Sequence, residues 1–211
     1  MNSSQDTEIE VKYLIEDLNR LREKIERLGA QLVQPRTFEQ NLRFDDSLGA
    51  LSKSKRVLRL RRDNAVRITY KGPGEHLGGV LVRQEIEFSL DDFEAGRRFL
   101  QALGYQVMMI YEKFRTTYEL ENLVISLDEL PYGNFLEIEG NTPAAIQEFS
   151  RQLGLNWEAR IPHSYTDIFE RLRSELKLPS PHLTFDDLVN LSRPLPAIGY
   201  RCADLNPATL D

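Results

Sequence analysis

The chain has 211 residues, enough for one sizeable domain or a domain with an appendage. Its 41% hydrophobic and 28% charged residues mark an ordinary globular protein, and a net charge of −6 argues against a general nucleic-acid binder. The lone Cys202 excludes an intrachain disulfide, no apolar run approaches membrane-spanning length, and the first residues lack the regions of a signal peptide, so a cytoplasmic location is expected.

Hydrophobic periodicity predicts a strand over residues 8–14, then a helix with Leu18, Leu21, Ile25 and Leu28 on one face that stops at Gly29. Strands follow over 39–45, 56–62 and 65–71, the last two joined by an Asp63-Asn64 turn into a hairpin. Gly72-Pro73-Gly74 and Gly78-Gly79 bracket a flexible loop before a strand over 81–88. A second helix starts at Ser89 as N-cap with Asp92 three residues later, buries Phe99, Leu100 and Leu103, and stops at Gly104. Strands over 107–118, 123–129 and 134–140 come next. A helix then begins at Thr142 with Pro143 in its first turn and carries Ile146, Phe149 and Leu153. A last helix spans 166–176. Residues 1–178 form one domain, and the proline-broken stretch 179–211, with a short helix capped by Thr184, is an appendage that packs on it or stays partly disordered.

The strands alternate charge with apolar side chains. Successive side chains of a strand point to opposite faces. One face therefore collects Glu8, Glu10, Lys12, Arg59, Arg61, Arg67, Lys71, Arg83, Glu85, Glu87, Lys113, Arg115, Asp128, Glu137 and Glu139. The other collects Ile9, Val11, Leu58, Leu60, Ile68, Ile86, Phe88, Leu136 and Ile138. An antiparallel sheet with one solvated face would also alternate. Here, however, the charges come as Arg-x-Arg, Lys-x-Arg and Glu-x-Glu pairs, and the helices carry apolar stripes that need the only apolar sheet face. Eight strands suit closure, which removes exposed edges. The expected fold is α+β, an eight-stranded antiparallel tunnel barrel with helices packed on the outside and charges within.

Charges inside a barrel are costly unless they are paired or serve a ligand. Arginine and lysine suit phosphate oxygens, and carboxylates suit Mg²⁺ or Mn²⁺. The lining fits an anion with several phosphates held beside divalent metal.

Glu8-x-Glu10-x-Lys12, Arg59-x-Arg61, Lys71, Arg83-x-Glu85-x-Glu87, Lys113-x-Arg115, Asp128 and Glu137-x-Glu139, in this order over about residues 6–176, resemble the CYTH, or triphosphate tunnel metalloenzyme, superfamily. The resemblance implies metal-dependent chemistry on triphosphates. It implies phosphate contacts by Lys12, Arg59, Arg61, Lys71, Arg83, Lys113 and Arg115. Metal would be held by Glu8, Glu10, Glu137 and Glu139, helped by Asp128 and by Glu85 or Glu87, with Lys12 and Glu10 as the catalytic candidates. Many relatives have a tyrosine where this chain has Arg43, and often Lys-Ser-Tyr where it has His163-Ser164-Tyr165.

Three functions compete. The first is a hydrolase of inorganic or organic triphosphates, with Mg²⁺ or Mn²⁺ or with a lysine base, Lys12, whose pKa neighbouring cations depress. The second is a class IV adenylyl cyclase making cyclic AMP and pyrophosphate from ATP. The third is a non-catalytic polyphosphate or nucleotide sensor. The expected partner is a small-molecule triphosphate, with no nucleic acid and no membrane, and a homodimer stays open. His76 reads as a solvated loop residue, Trp157 as a packing residue, and Tyr105, Tyr111 and Tyr118 as side chains packed against helices.

Overall fold

The computed structural model describes residues 7–189, 191 and 195–205. The start of the chain, Pro194 and Pro207 lie outside the described residues.

The described chain runs β1 (Thr7–Ile15), α1 (Leu18–Arg27), β2 (Gln31–Asp45), α2 (Ala50–Lys53), β3 (Val57–Arg62), β4 (Val66–Leu77), β5 (Val80–Leu90), α3 (Phe93–Ala102), β6 (Gln106–Leu120), β7 (Leu123–Leu130), β8 (Gly133–Gly140), α4 (Pro143–Gln152) and α5 (Tyr165–Leu176). The eight strands close into an antiparallel barrel in the order β1-β5-β4-β3-β2-β6-β7-β8, as the alternation predicts. Each strand has one face for the tunnel and one for the helices.

Helices α1 and α4 cover β1, β7 and β8. Val11, Tyr13, Ile125 and Ile138 on the sheet meet Leu21, Ile25, Ile146 and Phe149 on the helices. The Tyr13 hydroxyl donates to Ser150 Oγ at 3.0 Å, which satisfies a polar group inside that core. Helix α3 packs Leu100 against Leu60 and Ile68. Helix α5 is fixed by a capping box between Ser164 and Asp167, and buries Ile168, Phe169 and Leu172.

Several local expectations change. Strand β2 begins at Gln31, eight residues before the predicted start, because register shifts around Gln34 absorb Pro35. The glycine-rich loop is mostly strand, since β4 and β5 continue to a tight turn at Gly78-Gly79 with φ of 60° and 84°, and a bulge between Lys71 and Gly74 takes up the slack. Asp92, not Ser89, caps α3, accepting from Ala95 N at 2.8 Å, because Ser89 still belongs to β5. Phe99 and Leu103 flank the buried Leu100 and are exposed. Ile86, Phe88 and Leu28 are also exposed.

The tail is integral to the barrel's end. Leu183 is fully buried, and its backbone donates to Ile110 O and accepts from Glu112 N, both at 2.9 Å. Ala203 N donates to Leu14 O at 2.9 Å, and the Asp204 carboxylate accepts from the backbone of Glu16 and Asp17. Leu183, Leu188, Leu195 and Tyr200 share one core with Phe135, Tyr132, Tyr165 and Phe169. The helix expected after Thr184 is a run of turns, with Thr184 accepting from Asp187 N at 3.2 Å. Leu183→Ala is expected to lower unfolding free energy by about 2–5 kcal/mol in urea titration, whereas a loosely attached tail would cost about 0.5 kcal/mol or less.

Candidate functional site

The sheet register sets which charges meet. Glu8 lies opposite Arg83, Lys12 opposite Glu137, Lys71 opposite Glu85, Glu39 opposite Lys113 and Arg115 opposite Asp128. Each of these pairs forms an ion pair, from 2.5 Å for Arg115–Asp128 to 3.4 Å for Lys113–Glu39. The tunnel is a cavity of about 720 Å³, and nine basic and nine acidic side chains line it.

Glu8, Glu10, Lys12, Arg59, Arg61, Lys71, Arg83, Glu85, Glu87, Lys113, Arg115, Glu137 and Glu139 all stand on its wall. Asp128 does not. It is fully buried behind the wall, where it accepts from Arg115 Nε at 2.6 Å, Lys113 Nζ at 3.1 Å and the Tyr165 hydroxyl at 2.8 Å. Its place is to aim two cations, and its oxygens are already occupied. Arg115 reaches on from Asp128 to Glu137.

The wall is polarised. β3, β2 and β6 contribute Arg59, Arg61, Arg43, Lys113 and Arg115, against the buried Glu39 and the exposed Glu119. On the other side of the barrel, β5, β1 and β8 contribute Glu85, Glu8, Glu10, Glu137 and Glu139, with Arg83 and Lys12 between them. Burial would raise the Glu39 carboxyl, but Lys113, Arg115 and Arg61 outweigh it and hold Glu39 far below the usual range. Burial and the adjacent Arg59 pull Arg61 down, and Glu39 and Glu87 offset them only in part. The buried Nε atoms of Arg59 and Arg61 have no acceptor among the described residues. This wall fits an anion.

The opposite wall has the converse imbalance. Glu10 pairs with Glu139 across the β1–β8 ladder. Burial, Glu8, Glu85 and Glu10 together push Glu139 from 4.5 up to about 7, only partly offset by Lys71. Burial and Glu8 also raise Glu85. Such crowding of hard oxygen donors fits a divalent cation. Among the described residues no three carboxylates form a chelating set, and Lys71 and Arg83 hold Glu8 at 2.7 and 2.8 Å.

Lys12 departs from the expected base. Burial alone would lower its pKa, but Glu10 and Glu137 outweigh burial and raise it. It stays an ammonium ion, 4.5 Å above the Tyr165 ring.

Residues beyond the expected set complete the site. Glu39 and Arg43 follow the same alternation along β2, and Arg43 donates to Thr166 Oγ1. Asp63, assigned to a turn, accepts from Arg67 at 3.0 Å and so reaches the tunnel. Tyr111 shares a core with helix α5, as expected, and its hydroxyl also accepts from Arg59 at 3.2 Å. Tyr118 does meet a helix, through Glu26 at 2.9 Å. Burial and then Asp128 raise the Tyr165 hydroxyl well above its ordinary value, so it remains a donor.

These shifts carry a pH signature. Glu139 gives up its proton near 4.5 when unfolded and near 7 when folded. Between those values the folded chain binds more protons, so this carboxyl lowers stability as pH rises through the window. Glu8, Glu39 and Glu137 act oppositely, and their stabilisation is lost as pH falls below about 4.5. Water reaches Glu139, so the slope is shallower than the shift alone implies. In chelator, Glu139→Gln should flatten the decline of the urea midpoint between pH 4.5 and 7. An unchanged slope would contradict the crowding.

Comparison with known proteins agrees with this geometry. The CYTH domain model matches residues 6–165. Three relatives named as a "putative" adenylate or adenylyl cyclase are similar. The one from Methanocaldococcus jannaschii is 30% identical over 135 residues, 63% of this chain and 75% of its own. The structure from Vibrio parahaemolyticus has a TM-score of 0.72 at 19% identity, covering 78% of this chain and 98% of its own. The structure from Hippeastrum, a protein in which triphosphatase activity dominates, has a TM-score of 0.59 at 19% identity, covering 78% and 95%. At these identities the two structures show a common fold alone. With most of its length matched and its charged strands closed into one tunnel, the chain belongs to the CYTH domain family.

Proposed function

We propose that the protein is a metal-dependent hydrolase of triphosphate-containing substrates. The observation that carries this reading is the polarised yet balanced tunnel, with a cation-rich wall facing an acid-rich one. A polyphosphate entering a lining of zero net charge needs cations to accompany it. The carboxylates opposite the arginines are where Mg²⁺ or Mn²⁺ would sit, and Glu8, Glu10, Glu85 and Glu139 are the groups that would hold it, with Glu87 and Glu137 beside them.

Arg59, Arg61, Lys113 and Arg115 would grip the phosphate oxygens, through planar forks in the arginines and a point charge in the lysine. Asp128 and Tyr165 keep Arg115 and Lys113 aimed, so little reorganisation accompanies the build-up of charge in the transition state. Lys71 and Arg83 would turn from Glu8 to the substrate once a metal replaces them. Lys12 stabilises charge as a cation. A divalent ion would neutralise phosphoryl oxygens and polarise the attacking water.

A second reading, formation of cyclic AMP and pyrophosphate from ATP, is favoured by the name of the Methanocaldococcus relative. Products separate the two. Incubation with tripolyphosphate, thiamine triphosphate, ATP and GTP in Mg²⁺ or Mn²⁺ should release orthophosphate, whereas cyclic AMP would establish the cyclase. Glu10→Gln should lower turnover about 100-fold or more with an unchanged melting profile. Full activity of that variant would remove the metal-dependent mechanism.

A further inference from the structure

The cations of the tunnel are not equally committed. Nine basic side chains line it, and eight of them pair with a carboxylate at 3.5 Å or less. Arg43 is the ninth, and among the described residues it has no carboxylate partner. Its guanidinium donates instead to the Thr166 hydroxyl, in the first turn of α5.

The register puts Arg43 on β2 directly opposite Arg59 on β3. Both side chains line the tunnel, so two guanidinium groups face one space from neighbouring strands. Like charges placed in this way destabilise a sheet, and an anion between them removes that cost. The nearby acids are engaged elsewhere. Glu39 lies 3.4 Å from Lys113 and 3.6 Å from Arg61, and Glu87 reaches Arg59 only at 3.5 Å while lying 3.1 Å from Arg61. The buried Nε of Arg59 has no acceptor among the described residues.

Unequal commitment means unequal gain on binding. A phosphate that takes over Lys71, Arg83 or Arg61 must draw it from a carboxylate, so one charge-assisted bond replaces another. Arg43 gives up only a neutral hydroxyl, and its bond to a phosphate oxygen is therefore nearly all gain. The hydroxyl it leaves is not stranded, because Thr166 Oγ1 also lies 3.0 Å from Ser164 Oγ.

We propose that Arg43 is a further substrate-binding residue, the one that captures the phosphate chain before the paired bases let go of their carboxylates. It leaves Thr166 and, together with Arg59, clamps a phosphoryl group at the α5 end of the tunnel. This role presupposes that the tunnel holds a triphosphate.

Calorimetric titration with inorganic tripolyphosphate in chelator reads the contact without turnover. Arg43→Gln should weaken binding about 10- to 100-fold. Arg43→Lys keeps the charge but not the planar fork, and should weaken it about threefold to tenfold. Thr166→Val removes the resting partner and leaves the cation, so its affinity should match or exceed that of the wild type. Wild-type affinity in both Arg43 variants overturns the assignment. So does a loss in Thr166→Val equal to that in Arg43→Gln, which would make the contact a brace for α5. A wild type that binds tripolyphosphate only with Mg²⁺ or Mn²⁺ present overturns the capture role and leaves the tunnel reading standing. A wild type that binds it in neither condition overturns both.

Discussion

Closing a charged sheet face upon itself is the constraint on which the structure depends. A flat sheet can leave such a face to bulk water, but a barrel encloses it, and each charge must then find a partner across the register or across the lumen. Several rungs meet this condition by placing acid opposite base on neighbouring strands, while Glu10 faces Glu139 and Arg43 faces Arg59. The balance is global rather than local. One wall keeps an excess of guanidinium and ammonium groups and the other an excess of carboxylates, and this separation gives the lumen its chemical character.

Much of this was legible because period-two alternation is a local property of the chain. The ordered charged pairs identified the strands, the inward face and nearly all of the wall. What stayed hidden depends on depth and on distant packing. Asp128 shares the parity of its neighbours, yet it sits too deep to reach the lumen, and only the folded partners Arg115, Lys113 and Tyr165 reveal its role. Tyr111 and Tyr165 are aromatic, and nothing in composition distinguishes a tyrosine that fills a core from one whose hydroxyl also orders a cation. Glu39 and Arg43 carry the same alternation as the rest, but as a lone acid and a lone base on β2 they form no charged pair of the kind that marks the other strands. On the outer face, Phe88 and Phe99 show the converse limit, since a residue's hydrophobicity does not say whether a helix will cover it.

The prolines of the tail left open whether it packs on the domain or stays partly disordered, and its described residues pack; proline only removes backbone donors and fixes φ, and neither effect prevents an irregular segment from packing. Leu183 and Ala203 supply strand-like backbone bonds to β6 and β1, and Tyr200 braces His163. The family match ends near the start of α5, so a segment beyond it completes the core behind the barrel's end.

The position of β1 in the barrel bears on how the molecule is made. This strand leaves the ribosome before the other seven, but its neighbours are β5 and β8, and the cations that pair with Glu8, Lys71 and Arg83, lie 63 and 75 residues downstream. Until those strands are synthesised, Glu8, Glu10 and Lys12 have no ladder to join. Assembly must therefore await most of translation, with the opening segment held solvated, and the seam on either side of β1 closes late.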